Sequence, residues 1–117
     1  MQKAILSEIH HGQTDELLYK VVWVWCPGCD EIHQFVVEHG SDRKVPIWNW
    51  DGDLECPTFT PSMLITWTTV NEDAKDRSKV CHSFLKDGIW DFLSDSTHAL
   101  AGTKVPMVEL PEWVTKA

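Results

Sequence analysis

The stretch VWVWCPGCDEIHQFVV, residues 22–37, sets two cysteines three apart between two apolar runs rich in β-branched and aromatic residues. Three uses compete for such a pair: a redox couple, half of a disulfide framework, or one jaw of a metal site. A thioredoxin-like couple needs its C-x-x-C after a strand and at the head of a helix, where the dipole activates the first thiol. Here the residues after Cys29, DEIHQFVV, read as a returning strand. Disulfides belong to oxidising compartments. The first residues, MQKAILSEIHHGQTDELLYK, carry charges and histidines where a secretory signal needs an apolar centre, so a cytoplasmic setting is expected. Metal is the favoured reading, with a redox couple and inert or disulfide-bonded cysteines left as the alternatives. A C-x2-C knuckle presents two thiolates from one turn, with its glycine free to take a positive φ and backbone N–H groups directed at the sulfurs.

Zinc, Zn2+, takes four such donors in a tetrahedron, so a second, distant turn must supply the rest. Cys81 and His98 complete the expected set with Cys26 and Cys29. His82 and His33 are the alternatives. As strand neighbours, Cys81 and His82 point to opposite faces, which leaves room for one of them. His33 could reach the metal from the return strand, or could be a half-buried strand histidine. Cys56 lies between turn signals and reads equally well as a small buried hydrophobe. His10, His11 and His39 sit in polar contexts and are expected in solvent. Asp51, Asp53, Glu55 and Asp87 are turn residues. Asp95 either caps a short helix or holds the free ring nitrogen of His98.

The rest of the chain is patterned for β structure in a single domain, 1–117. YKVVWVW (19–25) and EIHQFVV (31–37) form an antiparallel pair, and IWNW (47–50) begins another strand that closes at DGD. CPTFTPS (56–62), with two prolines, reads as an irregular crossing segment. MLITWTTV (63–70) is a strand, residues 71–78 are an exposed loop, and residues 79–93 are a hairpin turning at KDG. A short helix is expected near 95–101, followed by a proline-interrupted edge strand. The expected class is therefore mainly β: an antiparallel sheet of hairpins resembling an elaborated zinc ribbon. The first 18 residues are too weakly patterned to assign.

Composition excludes two function classes. A formal charge of −8 on 117 residues disfavours general nucleic-acid binding. No apolar run approaches the roughly 18 residues that span a membrane. Seven tryptophans supply either core or a contact surface.

CPGC, WNWDGDLECPTFTPSML and CHSFLKDGIWDFLSDSTHALAG together resemble the motifs of a family of small phage and prophage proteins, over roughly residues 22–105. The matching positions are Cys26 and Cys29, Pro57 to Ser62, Cys81 to Phe84, Asp87 and Gly88, and Asp95 to Gly102. The resemblance implies a phage or prophage source and a zinc site, and brings no activity with it. The motif does not call for a thiol at Cys56. DGIWDF offsets Ile89 and Trp90 by one position, which predicts a tighter hairpin turn. Some relatives carry an "ammonia monooxygenase" label, which a chain without spanning segments does not support.

Three functions follow. The first is a small zinc-binding protein with a structural metal that attaches to a host or phage protein in the host cytoplasm, an anti-defence role included. The second is a zinc-dependent hydrolase with a metal-bound water near His82, Asp95 and His98, for which His82 and Asp95 are the catalytic candidates. A Cys81–His dyad without metal is its weaker variant. The third is a metal-free β domain with a virion or scaffold role. The H-x-E signature of zinc deaminases is missing.

Overall fold

The computed structural model describes residues 2–40, 45–70 and 76–115, with the backbone alone described at 67–70, 76–78 and 115. The elements run β1 (Ala4–His10), β2 (Leu17–Cys26), β3 (Glu31–His39), β4 (Asn49–Trp50), β5 (Phe59–Val70), β6 (Asp76–Lys86), β7 (Ile89–Phe92), β8 (Lys104–Pro106) and α1 (Glu112–Thr115). Every strand pair is antiparallel. The strands form two sheets, β1-β2-β3 and β4-β5-β6-β7-β8. The fold is mainly β, divided between two sheets where the residue pattern suggested one.

Side-chain alternation explains the division. Val22, Val24 and Cys26 on β2, with His33 and Phe35 on β3, turn one apolar face inward. Cys81, Ser83 and Leu85 on β6, with Trp90 and Phe92 on β7, do the same for the larger sheet. Neither face can stay in water, so the two meet in one core. Phe35 stacks on Phe59 with ring centroids 4.0 Å apart, and Trp90 packs against Phe92 at 5.5 Å. Trp90 is completely buried. Its removal from water contributes on the order of 4–6 kcal/mol before entropy is counted. The other described tryptophans divide: Trp48 and Trp50 are half-buried near the core, whereas Trp113 is 66% exposed and meets Trp25 edge-on.

The β6–β7 hairpin turns on two residues, Asp87 (φ 49°) and Gly88 (φ 74°), the tight connection that the offset motif predicts. Four local expectations are corrected. Phe59 to Ser62 belong to β5 rather than to an irregular crossing. Residues 76–78 already lie in β6, and 71–75 fall outside the described residues. The segment 95–101 is a succession of turns, not a helix, because Ser96 and Thr97 spend their hydroxyls on the β6 backbone. The tail keeps a strand only at Lys104–Pro106, and the short helix sits at Glu112–Thr115.

Candidate metal centre and candidate active site

Two clusters share strand β6, one on each face. On the inner face stand Cys26 and Cys29, from the β2–β3 turn, with Cys81 and with His98 from the turns after β7. One ligand atom from each lies within 4.8 Å of the others, so this group could hold a metal ion. The distances test the fit. Cys26 Sγ is 3.9 Å from Cys81 Sγ, and Cys81 Sγ is 3.5 Å from His98 Nε2. A tetrahedral zinc with ordinary bond lengths separates two sulfurs by about 3.8 Å and a sulfur from a nitrogen by about 3.6 Å.

The knuckle owes its shape to small residues and backbone donors. The Cys29 N–H points at Cys26 Sγ, 3.4 Å away. Gly28 is required for space rather than for a positive φ, since a Cβ there would collide with the His98 imidazole. Asp30, at φ 56°, takes the left-handed conformation that the sequence reading assigned to the glycine. Phe92 lies edge-on to the His98 ring at 4.6 Å. The Leu100 N–H is 3.2 Å from His98 Nδ1, which suits a ring with its proton on Nε2. Ligation through Nε2 requires that proton to move, so loading the site costs this contact.

Three thiols this close cannot all ionise by themselves. Cys26 is held well below the usual thiol range, first by its hydrogen bond with Cys29 and then by that with Cys81, against the effect of burial. Cys29 and Cys81 are pushed up by the same bonds to Cys26, Cys81 to about 12. A divalent cation removes that conflict by letting every sulfur carry charge.

Of the remaining sequence candidates, His33 borders the cluster beside Cys26 without joining its four donors, and Cys56 and His82 lie elsewhere. His33 is buried, with Nδ1 at 3.2 Å from the Ile32 carbonyl and its ring edge-on to Trp90. It lies outside the four-donor group. Cys56 is exposed. His82 points to the opposite side of β6 from Cys81, as strand alternation demands.

On that outer face the structure assembles a second cluster. Ser62 Oγ is 3.1 Å from His82 Nε2. His82 Nδ1 is 3.0 Å from Asp95 Oδ2 and 3.2 Å from Oδ1. Asp95 thus serves His82, and not His98 as the sequence suggested. The arrangement is a serine, an imidazole and a carboxylate in series, the geometry of an activated hydroxyl nucleophile. The His82 side chain is 25% exposed and that of Asp95 59% exposed.

Local structure explains how Ser62 gets there. Between the pairs Phe59↔Leu85 and Met63↔Ser83, β5 advances four residues while β6 advances two. This bulge takes Thr60, Pro61 and Ser62 out of register with β6, a device often found beside active sites. Two aspartates brace the approach. Asp51 Oδ1 accepts the N–H groups of Asp53 and Thr58, and Asp53 Oδ1 accepts those of Glu55 and Cys56. Those bonds, Cys56 first, hold the Asp53 carboxyl below its usual range. Thr58 Oγ1 then accepts the Asp87 N–H at the hairpin turn. On the other flank, Ser96 Oγ accepts the His82 N–H at 3.0 Å and donates to the His82 carbonyl at 3.1 Å. Thr97 does the same for Val80. The loop bearing Asp95 is thereby fastened to the strand bearing His82. Sequence reasoning placed Ser62 in the PTFTPS motif but missed its role, since a serine in a Pro-Ser step entering a strand carries no signal of a nucleophile.

A two-sheet β domain with a Ser-His-Asp series on one face of a strand and a metal-competent cluster on the other is the class that fold and site define. The chain belongs to the family described as bacterial ubiquitination-like system serine protease (BubE), whose model matches residues 2–93. The match contains Ser62 and His82 and ends two residues before Asp95. Neither the curated proteins nor the solved structures offered a match. No helix among the described residues is long and apolar enough to cross a membrane.

Proposed function

We propose that the chain is a serine peptidase serving a bacterial ubiquitination-like system, with Ser62 as nucleophile, His82 as general base and Asp95 as the carboxylate that orients it. The observation that carries this reading is the unbroken series Ser62 Oγ, His82 Nε2, His82 Nδ1, Asp95 Oδ2, with links of 3.1 and 3.0 Å. In the first half-reaction Ser62 Oγ attacks the scissile carbonyl while its proton passes to His82 Nε2. His82 then gives that proton to the departing amine as the C–N bond breaks, leaving an acyl ester on Ser62. In the second half-reaction a water attacks the ester, its proton goes to His82 and then to Ser62 Oγ, and the carboxylic acid leaves. Asp95 stabilises the imidazolium formed in each half and fixes the tautomer with its proton on Nδ1.

Zinc at Cys26, Cys29, Cys81 and His98 would be structural. Four protein donors close the tetrahedron and leave no position for a reactive water. His82 and Asp95, the groups that a zinc hydrolase would need beside such a water, face away across the strand. The ion would instead tie the β2–β3 turn to β6 and to the turns after β7, and so stiffen the platform that carries His82 and Asp95.

The test is active-site labelling. A fluorophosphonate should modify Ser62 in the native protein, and Ser62→Ala should abolish labelling and hydrolysis while the melting temperature and metal content stay unchanged. Full hydrolytic activity in Ser62→Ala would end the proposal.

A further inference from the structure

The edge of β5 next to the nucleophile pairs with no strand among the described residues, and hydrogen bonding fixes its backbone direction. Val80 and His82 give their carbonyls to Thr97 and Leu93, and their N–H groups to Thr97 and Ser96. Their backbone groups therefore point away from β5. In an antiparallel ladder, in-plane direction alternates along the strand. Cys81 and Ser83 thus bond to Ile65 and Met63, and Leu64↔His82 is a non-hydrogen-bonded pair. It follows that Leu64 and Thr66 direct their N–H and C=O groups outward. The Ser62 carbonyl agrees, since it accepts the Trp48 indole N–H from that side at 3.4 Å.

Nothing among the described residues pairs with this edge beyond Thr60, because β4 reaches only Phe59 and Thr60. Exposed edges are ordinarily blunted by charge or proline. β8, at the far edge of the same sheet, carries Lys104 and Pro106. Met63 to Thr66 carry neither. Leu64, 58% exposed, stands directly opposite His82.

We propose that the Leu64–Thr66 edge of β5 binds an extended polypeptide as an added strand, delivering the scissile carbonyl to Ser62. The proposal rests on Ser62 being the nucleophile. The bound residues are those on the acyl side of the bond, the half that stays on Ser62 after the amine leaves and that must remain aligned for the second half-reaction. Main-chain pairing supplies the affinity, and Leu64 contacts alternate side chains of the added strand. Trp48 and β4 occupy the line along which that strand would continue past Ser62, so pairing ends there.

The experiment uses native, metal-replete protein and compares two irreversible probes. One is a single-residue aminoacyl diphenyl phosphonate; the other is its tetrapeptidyl counterpart, randomised at every position. Ser62 Oγ attacks phosphorus in both, and phenoxide leaves. Two or three added main-chain hydrogen bonds should make the tetrapeptidyl mixture react about tenfold faster or more. N-methylation of the mixture's pairing amides should remove the advantage in the unaltered protein. Thr66→Pro, which deletes an outward N–H at an edge position that tolerates proline, should do likewise, whereas Thr66→Ala should not. Equal rates for the short and long probes would overturn strand addition, and so would indifference to N-methylation. Absence of fluorophosphonate labelling would instead remove the nucleophile itself, a distinct failure.

Discussion

The two faces of β6 at residues 81 and 82 differ in what their chemistry demands of the surroundings. On the inner face Cys81 is fully buried in the core, and only with a cation could all three of the clustered thiols carry charge together. On the outer face His82 stays partly in water and has a carboxylate and a hydroxyl within hydrogen-bond reach. A buried cluster of thiols is tied to stability, because breaking it leaves unpaired polar groups in a low-dielectric interior. On the proposed reading the exposed series serves turnover and contributes little to folding. One strand separates the two roles by a single step along the chain.

The largest expected effect breaks the outer face alone. Ser62→Ala should lower peptidase activity by about 10^4-fold or more while stability shifts by less than about 1 kcal/mol, measured by turnover and by urea unfolding. On the inner face, Cys81→Ser should cost several kcal/mol and release the metal, read by elemental analysis and thermal unfolding; structural zinc sites contribute on the order of 10 kcal/mol or more. Cys56→Ser, at the exposed thiol, should do neither. The metal should also be held more tightly as pH rises, since the Cys81 proton, retained up to about pH 12, must be displaced for binding. A titration of metal content that shows stronger retention at pH 5 than at pH 8 would contradict a thiolate site.

Asp95→Asn should reduce kcat by about 10^2- to 10^4-fold with KM little changed, because the imidazolium loses its counter-charge and the preferred tautomer is lost. With Asp95 59% exposed, water replaces part of that support, so the lower end of the range is expected. The smallest effect sharpens the link between the faces. Ser96→Ala removes both hydrogen bonds to the His82 backbone and should cost about 1–2 kcal/mol, with a smaller fall in kcat than Asp95→Asn. A Ser96→Ala protein with full stability and full kcat would show that Thr97 and the turns carrying His98 suffice to position the Asp95 loop.

Much of the inner face was legible because its signals are local. C-x2-C between two strand-forming runs specifies a knuckle, and alternation along KVCHSFL sets Cys81 and His82 on opposite faces. The tight Asp87–Gly88 turn announces itself in two residues. The outer face was not legible in the same way. His82 and Asp95 stood out as polar groups near the thiols, and were read as serving a metal-bound water. Ser62 stood out only as the last residue of the PTFTPS motif, with no chemical role attached to it. In FTPSML it reads as a turn residue flanked by proline, and only the register of β5 on β6, with its bulge, carries it to His82. Ser96 likewise reads as a helix-start residue until its hydroxyl, with that of Thr97, is seen on the backbone of β6.

The amino-acid sequence by itself determined the β character, the metal-competent knuckle and the separation of Cys81 from His82 onto opposite faces, because strand alternation and tight-turn sterics act over a few bonds. The tertiary structure alone decided that the chain folds into two sheets, that Asp95 pairs with His82 rather than His98, and that a serine twenty residues before that histidine meets its ring. Those outcomes depend on strand register and loop docking, which many weak contacts across the whole molecule settle together and no short stretch encodes.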